Sequence, residues 1–365
     1  MSVLIFVIIL AILILVHEFG HFIVAIKSGI KVSEFGIGFP PRIARLFRWR
    51  ETDFTLNAIP AGGFVKIFGE NPDEESLDGP ESGRSFARKP RWIQALVLIA
   101  GVSFNVIFAW LIIALGFMIG LPTPAGYAGA GGVQNARVVI VSVAQDSPAS
   151  HAGLSAGDAI VSVRSEKGEA VPSVTPDTVS EFIQAHGDAS IVLQVARGAE
   201  TIESAVVPST GIIEGKKAIG ISMDTIGTLR LPMHLALWEA GKTVVTLIGT
   251  VTVGLVTFLF HAVVGQGDFS QVTGPVGIVS MVGDATRLGF VHLISFTAFI
   301  SINLAVINMI PFPALDGGRL LFVAIEAVRR KPISPKVSNA FNGIGFVLLL
   351  VLMVVVTFHD IVKLF

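Results

Sequence analysis

The residues most able to do chemistry are His17-Glu18-Phe19-Gly20-His21, an HExxH sequence inside a strongly apolar stretch. On a helix, His17 and His21 lie one turn apart on the same face, so both imidazoles can reach one metal ion. Glu18 lies beside them and could take a proton from an attacking water molecule. From Ser2 to Ile26 these three side chains are the only ionisable ones. Because ionisable groups at membrane depth cost about 2.5–3.5 kcal/mol each on insertion scales, the pattern favours a metal site over polar residues tolerated in a helix bundle.

Two histidines leave a catalytic zinc site one protein ligand short, since three protein ligands plus water are usual. The chain has no cysteine, so the third ligand must be His, Asp or Glu. His261, His292 and Asp316 are the candidates in apolar surroundings. Asp316 follows Pro311 and Pro313, which break a helix and free backbone groups. A carboxylate at membrane depth needs a partner, and a cation is the natural one. Asp316 is therefore the preferred third ligand, and a helix-end carboxylate in a turn is the alternative.

These residues must be held by apolar helices or strands, and the composition of the chain is consistent with such elements. The chain has 365 residues, of which 52% are hydrophobic and only 15% charged, which is atypical of a soluble protein. The formal net charge of −1 gives no indication of a nucleic-acid partner. Five stretches exceed the roughly 18 residues of a membrane-spanning helix. They are Val3–Ile26, Trp92–Leu121, Thr243–Val264, Leu288–Leu315 and Ala340–Phe358.

Basic loops predict how these stretches are oriented. The loop 27–91 is rich in Lys and Arg, and the loop between the last two stretches carries Arg329, Arg330 and Lys331. The positive-inside rule places both loops in the cytoplasm, with the N-terminus and the domain after Leu121 outside. An odd number of crossings must then separate that domain from Arg329. Four stretches therefore cross, and Thr243–Val264 is expected to lie at the interface or on protein. An ordinary span with a threonine-rich packing face is the alternative.

Two segments have β character. Residues 122–232 contain alternating runs at 137–143, 159–163 and 190–195, with a helical stretch at Thr178–Ala185, which indicates a compact β-rich domain outside the membrane. In the first loop, Phe54–Leu56 and Phe64–Phe68 flank Pro60–Gly63, which predicts a β-hairpin. Such a hairpin would offer a free strand edge near the metal site.

In their order along the chain, these motifs resemble the site-2 protease family of intramembrane zinc metalloproteases, and most closely its bacterial branch that cleaves anti-sigma factors. The resemblance covers nearly the whole chain. Beside HExxH, the motifs that carry it are Pro60-Ala61-Gly62-Gly63-Phe64-Val65, Gly101-Val102-Ser103-Phe104-Asn105, Ser147-Pro148-Ala149-x-x-Ala152-Gly153-Leu154-x-x-Gly157-Asp158 and Asn308-x-x-Pro311-x-Pro313-x-Leu315-Asp316-Gly317. The third is similar to a PDZ domain of bacterial proteases; this chain has one where the best-known enterobacterial member has two.

The resemblance implies Zn²⁺ bound by His17, His21 and Asp316, with Glu18 as general base, the same four residues that the physical reasoning selects. It implies that Asn105 binds the substrate backbone or the developing oxyanion, with an interhelical hydrogen bond as the alternative. Of Asn303 and Asn308, only one is expected to face the site, because they lie about 140° apart on a helix. Gly62, Gly63, Phe64 and Val65 are expected to hold an unwound substrate by strand addition.

The expected fold is a polytopic α-helical membrane protein of about four transmembrane helices with an inserted extracytoplasmic PDZ domain and a cytoplasmic-side β-hairpin loop. Its parts are 1–121, 122–232, 233–287 and 288–365, in the bacterial inner membrane. The expected partners are the lipid bilayer and single-span membrane proteins similar to anti-sigma factors. A PDZ scaffold with a structural metal and a transporter are the alternatives. A closed structural site would use four ligands, and transporters often show internal repeats, neither of which is found in the sequence.

Overall fold

The computed structural model describes residues 1–71, 73–127, 129, 131–187, 189–198, 200–213, 216–265 and 273–362. The chain divides into two compact units. We call Met1–Ala114 together with Ala240–Phe365 the helical unit, and Leu115–Glu239 the β unit. The β unit is therefore inserted into the helical unit in sequence, and both boundaries fall inside long helices.

The elements follow the hydropathy pattern closely. The helices are α1 Ser2–Lys27, α2 Glu74–Asp78, α3 Arg91–Ile119, α4 Pro148–His151, α5 Pro176–Ala185, α6 Met233–Val263, α7 Pro275–Leu288, α8 Phe290–Asn308, α9 Asp316–Arg329 and α10 Pro335–Val362. The strands are β1 Val32–Trp49, β2 Thr52–Ile67, β3 Leu121–Pro124, β4 Gln134–Val143, β5 Ala159–Ser165, β6 Ile191–Arg197, β7 Glu200–Val206, β8 Ser209–Ile213, β9 Lys216–Ala218 and β10 Ile221–Leu229.

Within the described residues, five helices are long and apolar enough to cross a membrane: α1, α3, α6, α8 and α10. Each contains one of the five predicted stretches or most of it. The fourth stretch was predicted to reach Leu315, but α8 ends at Asn308. Pro311 and Pro313 lie just beyond that end and cannot continue a helix, so the chain turns before α9 begins at Asp316.

The predicted hairpin in the first loop is wrong in its pairing. Residues 54–56 and 63–65 belong to one bent strand, β2, and both pair with residues 35–37 of β1, which lies between them. Residues 42–49 of β1 then pair with 52–57, so the two bent strands form one antiparallel sheet of four strand segments. The absence of a side chain at Gly36 permits this, because a Cβ atom there would come within 2.3 Å of the Phe64 ring. Periodicity along one segment cannot reveal a central strand supplied by another.

The predicted free edge nevertheless exists. On the paired side, residues 63–67 of β2 contact β1, and among the described strands none pairs with their other side. The residues that carry this edge pack one face on α1: a Cβ atom on Gly63 would come within 2.9 Å of Leu15, and one on Gly62 within 3.2 Å of Ile14. The edge is thus about one helical turn from His17.

The β unit has a six-stranded sheet in the order β3-β10-β4-β5-β6-β7. Its core consists of inward-facing aliphatic side chains, with Ile140, Val163, Val179 and Leu193 almost fully buried. The predicted strands at 137–143, 159–163 and 190–195 and the helix at 178–185 are confirmed within a few residues. Asp158, 1% exposed, pairs with Arg197, with 2.7 Å between Oδ1 and Nε.

Candidate metal centre

Helix α1 presents the two histidines from its interior face. His17 and His21 are only 8% and 7% exposed, and they lie on the same side as the buried Leu13. The third group comes from a distant part of the chain, since Asp316 is the first residue of α9. Its carboxylate oxygen Oδ2 lies 3.0 Å from His17 Nε2 and 3.2 Å from His21 Nε2. The two Nε2 atoms lie 3.2 Å apart. We call these three residues the metal centre.

This triangle has the dimensions of one face of a tetrahedral zinc site. Zinc–nitrogen and zinc–oxygen bonds of about 2.0–2.2 Å in tetrahedral geometry place neighbouring ligand atoms about 3.3 Å apart. The three ligand atoms, separated by 3.0–3.2 Å, are within a few tenths of an ångström of that value. Two imidazoles and one carboxylate are also a donor set typical of catalytic zinc, with the fourth position left open. The residues therefore fit the ion in both chemistry and size.

Groups around the histidines hold their rings. The backbone carbonyl of Val97 in α3 lies 2.8 Å from His21 Nδ1, so the Nδ1 proton of His21 is donated to it. That bond leaves the lone pair on Nε2, the atom that faces Asp316. His17 Nδ1 faces the side-chain amide of Asn105, with 3.5 Å between Nδ1 and Nδ2.

Close helix packing brings α3 against the imidazoles. A Cβ atom on Gly101 would lie 2.3 Å from His21 Nε2 and 2.8 Å from His17 Cε1. A Cβ atom on Gly20 would lie 2.5 Å from the carbonyl oxygen of Ala100. Small residues allow helix backbones to approach closely in membranes, and here they also leave room for the ring atoms that would bind the ion.

The turn before α9 is built around further close contacts. Ala314 adopts φ +69°, and its N–H donates to Asn342 Oδ1 at 3.4 Å. A Cβ atom on Gly317 or Gly318 would lie 2.2 Å from the carbonyl oxygens of Ile310 or Phe312, respectively. The two glycines therefore let the turn fold back on the start of α9, which fixes the position of Asp316 at the first residue of that helix.

Glu18 borders the open side of the metal centre. A cavity of about 220 Å³ is lined by Glu18, His17 and Asp316 together with Asn105 and Asn308. Among the hydrogen bonds and ion pairs found between described residues, none involves the Glu18 carboxylate. It is therefore available to accept a proton from a molecule in the cavity.

Other residues that the sequence suggested lie elsewhere. Asn303 Nδ2 donates to the carbonyl of Phe299 in its own helix and does not line the cavity, whereas Asn308 does. His261 and His292 are not part of the metal centre. Gly62 and Gly63 lie at the strand edge beside Ile14 and Leu15 of α1.

The sequence is similar to those of known proteases. The chain matches the sequence model of peptidase family M50 over residues 5–352. It belongs to peptidase family M50. The regulator of sigma-W protease RasP from Bacillus subtilis is 30% identical, with 100% of this chain and 99% of the relative covered. The zinc metalloprotease RasP from Oceanobacillus iheyensis is 29% identical over the same shares of the two chains. This M50 protein is accordingly a zinc-dependent intramembrane protease of the site-2 protease type, embedded in a bacterial membrane.

Some residues that shape the M50 site were missed from sequence. The Val97 carbonyl is a backbone group and carries no sequence signal. Gly101 was noted as part of a motif, but its contact with the histidines depends on how α1 crosses α3. The ion pair between Arg319, one turn after Asp316, and Glu70, just beyond β2, joins two segments that sequence reasoning treated separately.

A second concave region lies in the β unit. A cavity of about 310 Å³ is lined by Ser180, Ile183 and Gln184 of α5 and by residues 219–223 at the start of β10. On one side β10 pairs with β4 from Ile221 onward, while β3 pairs with its other side only over 226–229. Within the described strands, the edge of β10 at 221–224 is therefore open and faces this groove.

Proposed function

We propose that His17, His21 and Asp316 bind the catalytic zinc of this protease and that Glu18 is its general base. The observation that carries the proposal is the convergence of three ligand atoms, 3.0–3.2 Å apart, from two helices separated by 299 positions in the chain. The unpaired carboxylate of Glu18 lines the same cavity. A hydrolase needs three protein ligands, an open fourth position and an adjacent base, whereas a structural site needs a fourth ligand and no base.

The residues act on different parts of the reaction. When bound, zinc supplies Lewis-acid activation of water and of the scissile carbonyl. Glu18 takes the proton of the attacking water and passes it to the leaving amine, as expected of a carboxylate within reach of both. Val97 holds His21 in the tautomer that presents Nε2. Asn105 and Asn308 line the cavity and are the polar groups placed to meet a substrate carbonyl.

The substrate must present extended backbone, because a helix bonds all its backbone groups internally. The open edge of β2, which carries Gly62, Gly63, Phe64 and Val65, is the place we assign to it. The residues of this edge pack on α1 about one turn from His17, so a segment added as a strand would lie near the metal centre. Strand addition forms hydrogen bonds with the backbone of the substrate, whatever its side chains, so it would serve substrates of different sequence.

We assign the β unit as a PDZ domain on the extracytoplasmic side. The groove between α5 and the open edge of β10 has the form that takes a peptide by strand addition, and a newly exposed C-terminus is its natural ligand. The proposed orientation has the N-terminus outside, the loops 27–91 and 329–336 in the cytoplasm, and α6 not crossing. His17 and Asp316 then both lie toward the cytoplasmic side. The parts 1–121, 122–232, 233–287 and 288–365 follow from this assignment.

The substrates we propose are single-span membrane proteins of the anti-sigma-factor kind. One relative is named regulator of sigma-W protease, a name consistent with such a role. A PDZ scaffold with a structural metal is less favoured, because a structural site is usually closed by four protein ligands and the metal centre offers three.

The test uses the full chain purified in detergent with a model single-span substrate. Glu18→Gln should retain zinc and lose about 10²–10⁴-fold in cleavage rate, the usual contribution of a general base. Asp316→Asn should lose zinc as well as activity. Glu74→Gln, in the exposed start of α2, is the matched control and should behave as wild type. Equal cleavage by wild type and Glu18→Gln would refute the assignment.

A further inference from the structure

We propose that Asn105 is a positioning residue for the metal centre, whose side-chain oxygen accepts the Nδ1 proton of His17 once an ion is bound. The proposal rests on the zinc site assigned above. It gives Asn105 a role through His17, in addition to any contact with substrate in the cavity.

The argument begins with the two histidines. Both point Nε2 toward Asp316, so both must carry their proton on Nδ1 when they bind a metal. For His21 the acceptor of that proton is the Val97 carbonyl, at 2.8 Å. A histidine that binds a metal almost always donates its other N–H to an acceptor, which fixes the ring. His17 requires one too, and the side chain found at its Nδ1 is Asn105.

As placed, Asn105 turns its amide nitrogen toward His17, with 3.5 Å between Nδ2 and Nδ1. Its oxygen, Oδ1, is buried and has no hydrogen-bond partner in the described structure. This arrangement suits the metal-free tautomer, in which His17 donates from Nε2 to Asp316 at 3.0 Å and accepts at Nδ1. With the ion bound, two N–H groups would face each other.

A half-turn of the amide about its Cβ–Cγ bond resolves both problems. The rotation exchanges the oxygen and nitrogen without changing the shape of the side chain. Oδ1 then accepts the Nδ1 proton of His17, and the buried oxygen is no longer unpaired. The NH₂ group then occupies the position that the oxygen held, and because Asn105 lines the cavity, a water or substrate oxygen entering there is the acceptor we assign to it. Binding of the ion therefore selects one amide orientation.

The backbone of Asn105 is fixed by a hydrogen bond that does not involve its side-chain amide. The residue is 1% exposed, and the hydroxyl of the buried Ser301 in α8 donates to its backbone carbonyl at 2.8 Å. That bond joins α3 to α8 at the level of the metal centre and leaves the side-chain amide free to rotate. Ser301 thus provides a control, because its loss disturbs the same helix contact without touching the amide.

The experiment compares Asn105→Leu, Asn105→Asp and Ser301→Ala in the full chain. Zinc affinity is measured by competition with a chromogenic chelator, and the ligand field by the visible spectrum of the Co²⁺-substituted protein. We expect Asn105→Leu to weaken zinc binding about 10–100-fold, as loss of a group that orients a ligand does elsewhere. Asn105→Asp, which keeps an acceptor, should restore the wild-type affinity and spectrum. Ser301→Ala should lower the unfolding temperature and leave affinity unchanged.

Two results would overturn the proposal. One is wild-type zinc affinity in Asn105→Leu, whatever happens to cleavage, since the amide would then act on the substrate alone. The other is an Asn105→Asp variant that binds zinc as weakly as Asn105→Leu. If the leucine variant does not fold, Asn105→Ser, too short to reach His17, gives the same comparison. Failure of the zinc assignment itself is distinguishable, because Asp316→Asn would then retain zinc.

Discussion

Gly101 of α3 lies so close to His21 of α1 that a Cβ atom built on the glycine would come within 2.3 Å of the imidazole Nε2. The nearest atoms are thus the ring atoms proposed to bind zinc, with His17 Cε1 at 2.8 Å. The two helices and the metal centre thus meet at Gly101, where there is no room for a side chain.

Gly101→Ala should therefore abolish tight zinc binding. The methyl group would displace both rings, and we expect a loss of affinity larger than the roughly 10–100-fold that follows when a ligand is merely less well oriented. Gly249→Ala, in α6 with nothing near its added Cβ, is the matched control and should stabilise the helix by about 0.5–1 kcal/mol. Zinc content and chelator competition measure the difference. Wild-type affinity in Gly101→Ala would contradict the arrangement of α1 and α3.

The proposed topology can be tested by introducing single cysteines, because the chain contains none. Ser155→Cys in the β unit should react with a membrane-impermeant maleimide added to intact spheroplasts, and Lys331→Cys only after permeabilisation. Val264→Cys, at an exposed position directly after α6, should react like Ser155→Cys if α6 does not cross. Reaction of Val264→Cys only after permeabilisation would show that α6 spans the membrane.

Replacing Val65, in the segment of β2 that carries the open edge, with proline should impair cleavage while leaving zinc in place. Proline has no N–H, so Val65→Pro should cost about 1 kcal/mol of substrate binding in the transition state, or about fivefold in kcat/KM. Ala44→Pro, on the strand segment farthest from this edge in the ladder, is the control for general damage to the sheet. Full activity in Val65→Pro with normal zinc content would argue against strand addition.

The β unit should respond to pH through His186. The hydrogen bond from its ring to the Glu169 carboxylate raises the pKa of His186 above its ordinary value of 6.5. A pKa raised in the folded state means that the bond stabilises the protein fully below pH 6.5, and that this stabilisation is lost as the pH rises through the folded pKa. Glu169→Gln should flatten that dependence, measured as unfolding temperature against pH. An unchanged dependence would show that the pair contributes nothing.

The apolar helices and the four central residues of the candidate site could be selected from the sequence because their signals are local. Long uncharged runs require spanning or buried helices, and HExxH places two imidazoles on one helix face wherever the helix lies. Asp316 could be selected because a carboxylate in an apolar, proline-broken segment is costly without a partner. Three strands of the β unit, β4, β5 and β6, followed from alternation in the same way.

What escaped prediction depends on contacts between distant segments. Residues 32–37 form a central strand between the two runs that predicted a hairpin. A turn signal carries no information about a third segment that pairs between the two strands. The close contacts of Gly36 with the Phe64 ring and of Gly101 with the histidines depend on how separate segments pack, so the sequence did not predict them. The Val97 carbonyl and the end of α8 at Asn308 are likewise set by tertiary packing and by where prolines interrupt an apolar run.

The position of Asp316 relative to the histidines has a consequence for how the chain is held together. An ion bound by His17, His21 and Asp316 would link His17 to a residue 299 positions later in the chain. It would thereby close a loop that contains the entire β unit. Loop closure of that length restricts the unfolded chain much as a covalent cross-link would. The ion would thereby fasten the first helix of the protein to its C-terminal segment, and chelation would loosen the helical unit as a whole in addition to removing activity.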